Sequence, residues 1–286
     1  MISQTAPVSV PKVGVHPAAK KETVLTTEQL VKIYGGRAVV DGVNMNVRAS
    51  EIVGLLGPNG AGKTTSFYMI VGLVRPNSGR VIFSDTDVTD YPMYKRARLG
   101  MGYLPQEESI FRRMTVEQNI MAILETLPLS KTERRNRCDQ LLHQFGIERI
   151  AKNVALTLSG GEKRRLTIAR SLVTQPKLLM LDEPFSGVDP IAVYDVQQII
   201  VNLRKLGLAI MITDHNVRET LSIVDRAYLI YEGRVESEGI KDSLINGPIS
   251  RQLYLGERFS LMSILAGFFP NARRGYFPNE VPARFF

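Results

Sequence analysis

Cysteine is almost absent: the 286-residue chain carries one, Cys138, which excludes an internal disulfide and suits a reducing compartment such as the cytoplasm. Histidine is nearly as scarce. With only His16, His143 and His215 beside that thiol, no Cys/His metal cluster can be assembled. Long apolar runs are missing too; the best, residues 261–269, is about half the roughly 18 residues that a membrane-spanning helix needs and is interrupted by Ser263 and Gly267. The first 21 residues contain no acidic side chain, three prolines (Pro7, Pro11 and Pro17) and no continuous apolar segment, so they read as a disordered tail rather than a secretory signal.

What is present suits a globular chain of one large domain or one domain with a lobed insertion, since 44% apolar residues suffice for a substantial core. The formal net charge of +8 raises the question of nucleic acid. Its distribution argues against that partner. The excess lies in the N-terminal tail, in Arg134, Arg135 and Arg137 on a predicted helix, and in Lys163, Arg164, Arg165 and Arg170, without the interleaved aromatics that stack bases. Anionic headgroups or acidic regions of a protein partner fit those charges better.

Alternation of Val43, Met45 and Val47 with Asn44, Asn46 and Arg48 predicts a half-buried strand, hence an antiparallel β region ahead of the apolar strand 52–56. Residues 79–83 read as a further strand. From 115 to 155 the pattern turns helical, with Val116, Ile120, Ile123 and Leu124 and then Leu141, Leu142 and Phe145 at spacings of one, three and four. Strands return at 178–181, 208–212 and 227–231, the first two separated by a helical stretch, 191–206, as in a βαβ unit. The expected fold is therefore α/β, with an antiparallel β subdomain and a helical lobe inserted at about 107–172. No internal repeat is visible.

Three groups of residues carry chemistry. Gly57, Pro58, Asn59, Gly60, Ala61, Gly62, Lys63, Thr64 and Thr65 follow an apolar strand and open a helical run, the setting of a phosphate-binding loop. Its glycines let backbone N–H groups converge on an anion, Lys63 reaches the outer phosphates, and Thr64 offers a hydroxyl to Mg²⁺. The strand 178–181 ends in Asp182 and Glu183; at the carboxyl end of a parallel strand, Asp182 can reach a hydrated Mg²⁺ and Glu183 an attacking water, although such a run is also how an ordinary strand meets a polar turn. Ser159, Gly160, Gly161 and Glu162 open another helix, read either as a capping box alone or as a second anion-binding helix start. Two such starts with one lysine and one carboxylate pair are reconciled by a symmetric homodimer, each protomer offering its Ser159 loop to the nucleotide of the other.

Taken in order, residues 57–64, Gln106, 158–162, 181–184, 187–189 and His215 resemble the Walker A, Q-loop, signature, Walker B, D-loop and switch-histidine motifs of ABC-transporter ATPases. The resemblance covers about residues 25–245. Within that family, residues 103–113, 183–190, 213–220 and 254–257 look like the lipopolysaccharide-export branch, although an importer ATPase of the branched-chain amino-acid type would share every catalytic motif. A soluble ABC protein of translation or DNA repair would need a second cassette or a long coiled coil, and neither is present. The resemblance implies the P-loop NTPase fold of an ABC nucleotide-binding domain over about 23–260, with extensions at 1–22 and 261–286, the latter rich in phenylalanine. It implies ATP and Mg²⁺ as cofactors, Tyr34 stacking on adenine, Gln106 contacting Mg²⁺ and water, His215 meeting the γ-phosphate, and Asp189 acting across a dimer interface. Each aromatic or polar residue has a plainer alternative: Tyr34 as a strand aromatic and His215 as a structural histidine. Transmembrane subunits are the implied partners. Their docking is expected near Ile110, Phe111, Arg112 and Arg113, unless Phe111 merely packs the lobe. The expected location is peripheral, on the cytoplasmic face of the inner membrane.

Overall fold

The computed structural model describes residues 22–107, 109–240 and 243–244, so the expectations for the N-terminal tail and for residues 254–257 and 261–286 lie outside the described residues. Glu22, placed from the sequence at the end of the N-terminal extension 1–22, is already tied in: its carbonyl accepts the Ala49 N–H at 2.8 Å. Two sheets share the work. Strands β1 (Thr23–Tyr34), β2 (Arg37–Arg48), β4 (Ser78–Phe83) and β5 (Thr86–Asp87) form an antiparallel sheet in the order β2-β1-β4-β5. The alternation at 43–48 is realised there, with Val43, Met45 and Val47 buried.

The second sheet runs β10-β9-β3-β8-β7-β6, from β3 (Ile52–Leu56), β6 (Met101–Leu104), β7 (Leu178–Asp182), β8 (Ala209–Thr213), β9 (Arg226–Tyr231) and β10 (Arg234–Ile240). All its neighbours pair in parallel except the β9/β10 hairpin. Every residue of β3, β7 and β8 is buried, which is why they read as unbroken apolar runs: a parallel sheet is covered on both faces. Period-two alternation divides each strand between two cores. Leu179 and Leu181 join one side, and Leu178 and Met180 the other.

One core lies between this sheet, helix α1 (Lys63–Val71) and the antiparallel sheet. The other lies under α5 (Gly160–Ser171), α6 (Pro190–Lys205) and the helical lobe. Arg226 fastens the two sheets together: its guanidinium donates to Glu51 Oε1 at 2.8 Å and to the Asn46 carbonyl at 2.6 Å, with all three on different strands or their connections. Helix α2 (Met93–Leu99) precedes β6 and buries Arg96, which donates to the carbonyls of Met69 and Ile70 at the end of α1. The lobe contains α3 (Val116–Leu124) and α4 (Lys131–Gln144), each opened by a capping box, Thr115 with Gln118 and Ser130 with Glu133. Helix α7 (Val217–Ile223) links β8 to β9.

Candidate functional site

The sheet order sets four loops side by side. Strands β3, β8, β7 and β6 are adjacent and parallel, so their carboxyl ends deliver the turns at Gly57, Asp214, Asp182 and Gln106 about 4.8 Å apart from one strand to the next.

The glycine loop is fixed by lack of room as much as by flexibility. Gly57, Gly60 and Gly62 all have positive φ; a Cβ on Gly57 would stand 2.1 Å from the Ile230 carbonyl oxygen, and one on Gly62 would stand 2.4 Å from that of Val39. Gly62 leads directly into α1, whose first residue, Lys63, donates from Nζ to the Gly57 and Pro58 carbonyls at 2.6 and 2.8 Å. The lysine thus spans the loop it belongs to. Burial pushes its pKa down, while the carboxylates of Glu183 and Asp214 oppose that shift. Thr64, beside it, is exposed, and the buried Ser66 hydroxyl on the next turn has no partner among the described residues.

Opposite stand the carboxylates. Asp182 is buried at the end of β7, and desolvation raises its pKa; the Tyr103 hydroxyl, on neighbouring β6, donates to it at 3.4 Å. Glu183 follows in a left-handed conformation, φ 46°, which costs a non-glycine residue about 1–2 kcal/mol and turns its side chain out of the strand direction. Its N–H is held by the Thr213 carbonyl at 2.7 Å. Gln106 Nε2 donates to Glu183 Oε2 at 2.7 Å, and His215 Nδ1 lies 3.2 Å from the same oxygen. Residues separated by 77 and 32 positions therefore meet on one carboxylate. The donor set Asp182, Thr64 and Gln106 supplies hard oxygen ligands fit for Mg²⁺. Among the described residues no three His, Cys, Asp or Glu side chains are grouped so as to hold a metal ion by themselves, so a cation there would depend on phosphate oxygens as well.

The remaining predicted residues do not all join this cluster. Tyr34 ends β1, half exposed at 50%, with Lys32 Nζ 5.2 Å from its ring centre. Ser159 caps α5: its hydroxyl accepts the Glu162 N–H, and the Glu162 carboxylate returns to the Ser159 N–H at 2.9 Å and hydroxyl at 2.8 Å. Glu162 is engaged in the capping box, while Gly160 lies exposed beside it. Asp189 accepts the Ala192 N–H at 3.0 Å and so caps α6 within its own chain.

The docking segment divides into an inward and an outward residue. Ile110 is 7% exposed and packs into the lobe core, while Phe111 is turned out, at 43%. Sequence reasoning missed what fixes Phe111. Asn119, fully buried, accepts the Phe111 N–H at 2.8 Å and donates to its carbonyl at 3.0 Å, while the Arg170 guanidinium covers the ring at 4.5 Å. The available signal was a polar side chain one position before Ile120 in an apolar helix face. Pairing of this segment with the short 3-10 helix Ala155–Thr157, through Ala155 N–H to Met114 O and Leu156 N–H to Arg112 O, sets Met114, Val154 and Leu156 beside Phe111 as an exposed apolar patch flanked by Arg112 and Arg113.

Known proteins carry the same organisation. Residues 40–186 match the family model described as ABC transporter. Curated relatives include the lipopolysaccharide export system ATP-binding protein LptB of Haemophilus influenzae, 50% identical over 84% of this chain and 100% of its own, and LptB of Escherichia coli K12, 49% identical over 83% and 99%. A probable ABC transporter ATP-binding protein of Azorhizobium caulinodans is 52% identical over 86% of this chain and 88% of its own. Among solved structures, cbiO1 of Clostridium perfringens, part of the ABC transporter complex cbiONQ, superposes with a TM-score of 0.74 at 32% identity, over 79% of this chain and 92% of that one. The ADP conformation of MJ1267, an ATP-binding cassette of an ABC transporter, gives 0.73 at 27% identity, over 82% and 99%. With that match spanning half the chain and those identities spanning most of it, the protein belongs to the ABC transporter family, as one of its ATPase subunits.

Proposed function

We propose that the chain is the ATP-hydrolysing subunit of the transporter that extracts lipopolysaccharide from the inner membrane and sends it towards the outer membrane. The observation that carries the catalytic part is the convergence of Gln106 and His215 on Glu183, one residue past the buried Asp182. The cargo rests on the identity to the LptB relatives over most of the chain and on the resemblance read in residues 103–113 and 213–220.

ATP binds with its phosphates over the loop of Gly57, Pro58, Asn59, Gly60, Ala61, Gly62, Lys63, Thr64 and Thr65, and adenine rests on Tyr34. Lys63 releases the Gly57 and Pro58 carbonyls and takes the outer phosphates instead. Asp182, Thr64 and Gln106 would hold Mg²⁺, which neutralises phosphate charge when bound. Glu183 orients or deprotonates the water for in-line attack, His215 hydrogen-bonds the γ-phosphate, and Gln106 reports its presence to the helical lobe. Ser159, Gly160 and Gly161, held by Glu162, close over the nucleotide of a second copy, with Asp189 at the same interface. ATP thereby joins the dimer and its cleavage releases it.

Movement of the lobe passes to transmembrane subunits through the patch at Phe111, Arg112 and Arg113, where apolar contact and positive charge suit a cytoplasmic helix. No helix among the described residues is long and apolar enough to cross a membrane. In this reading the subunit attaches peripherally, on the cytoplasmic face, through these partners.

The test is a pair of measurements. Glu183→Gln should keep ATP affinity, accumulate dimers and lower turnover by about a thousandfold, the scale expected when a positioned base is lost; parental turnover would remove Glu183 from this role. Capture from detergent-solubilised membranes should bring down lipopolysaccharide-export membrane subunits. Recovery of branched-chain amino-acid permeases instead would overturn the cargo.

A further inference from the structure

A carboxylate that none of these assignments uses sits at the centre of the site. Asp214 follows the last residue of β8, and its side chain is fully buried. Each oxygen has its own task. Oδ1 accepts the Asn216 N–H at 2.7 Å, at the start of the loop that carries His215; Oδ2 accepts the Phe185 N–H at 3.1 Å, in the turn that carries Glu183. His215 Nδ1 lies 3.6 Å from Oδ1.

We infer that Asp214 is a positioning residue for hydrolysis, a single rigid fork that fixes the left-handed turn of Glu183 and the His215 loop relative to one another. This rests on the roles given above to Glu183 and His215.

The bond to Asn216 is a local Asx turn and would be satisfied in many loops. The bond to Phe185 is different, for it crosses 29 residues of sequence to a neighbouring strand end. Thr213, whose carbonyl takes the Glu183 N–H, and Asp214, which takes that of Phe185, together supply acceptors to both backbone donors between Glu183 and Phe185. Proline at 184 supplies none. The strained φ of Glu183 is held from β8 on both sides, and without that hold the turn has no reason to keep its carboxylate between Gln106 and His215. Burial drives the Asp214 pKa upward, and the two N–H donors pull against that shift. A neutral amide cannot replace this fork: asparagine has one acceptor oxygen, so its NH₂ would face a second N–H.

The experiment compares the full-length parental chain with Asp214→Asn and Glu183→Gln. Asp214→Asn should bind ATP within about twofold of the parent while its kcat falls about a hundredfold, the loss associated with misplacing a reacting group by an ångström. Added to Glu183→Gln, it should lower the residual rate by much less than its hundredfold effect on the parent, because much of that effect passes through the Glu183 carboxylate. Parental kcat in Asp214→Asn, with Glu183→Gln inactive, would overturn the inference and leave the function intact; full activity in Glu183→Gln would overturn the function itself. A fall in ATP affinity matching the fall in kcat would mark a general structural role and also overturn it. Should Asp214→Asn fail to fold, hydrogen exchange on the parental protein decides: the Phe185 amide should be protected with that of Asn216, and exchange of Phe185 at the rate of an open loop would refute the fork.

Discussion

Two glycine-rich turns open two helices in this molecule, and they are glycine-rich for opposite reasons. In the loop before α1 the demand is internal: positive φ at Gly57, Gly60 and Gly62, and carbonyl oxygens of Ile230 and Val39 standing where side chains would go. Before α5 there is no such demand. Neither Gly160 nor Gly161 has a positive φ, a Cβ on Gly160 would touch nothing within 4 Å, and one on Gly161 would make ordinary contact with Ala192 at 3.5 Å. The first loop is shaped by its own chain. The packing of its own chain does not call for glycine in the second, which fits the proposed composite site between two copies.

The sharpest way to break this contrast is to put a methyl on each. Gly62→Ala forces a backbone carbonyl aside at a φ of 102°, so about 2–4 kcal/mol of stability should be lost, with ATP binding, as read by thermal unfolding and by nucleotide titration. Unchanged ATP affinity would show that the loop can be rebuilt without its glycine.

Gly160→Ala should do the reverse. The melting temperature should stay within a few degrees of the parent, since alanine is at least as good as glycine in a helical first turn, while turnover falls at least about tenfold. Mixing sharpens it further. Lys63→Ala and Gly160→Ala protomers, each strongly impaired alone, should together recover up to about a quarter of parental turnover, because half the dimers are mixed and each mixed dimer keeps one intact site. No recovery in an exchanging mixture would mean that the second turn serves its own chain.

The contrast also explains how far the sequence could be read. Strands β3, β7 and β8 were visible because burial on both faces leaves unbroken apolar runs, and the capping box of Ser159 and Glu162 because its four residues are contiguous. Strand β6 was not visible: Met-Gly-Tyr-Leu is too short to show a period. The residues of the catalytic cluster were named through the order of the motifs, whereas their meeting on one oxygen depends on the order of strands in the sheet, which no local pattern encodes. Asp214 carried no mark at all, since the same letter in a surface turn would look identical. At Ile110 and Phe111 the sequence offered two adjacent apolar residues and no means to tell which faces inward; the buried Asn119, gripping the Phe111 backbone, decides it.

That last detail carries the comparison to a third surface. Like Gly160, Phe111 is poorly explained by the packing of its own chain: a large aromatic left 43% exposed, held by Asn119 and Arg170, and next to Met114, Val154 and Leu156. Phe111→Ala should therefore leave the fold and ATP affinity unchanged, yet weaken capture of the membrane subunits roughly tenfold, the usual cost of truncating an aromatic anchor at an interface. The effect is the smallest of the series because the flanking arginines and the rest of the patch remain. Titration against the solubilised membrane complex would measure it, and an unchanged affinity would return Phe111 to the lobe as packing. Asn119→Ala gives the finer cut: if presentation of the ring matters, loosening its backbone should reproduce part of the loss with Phe111 still in place.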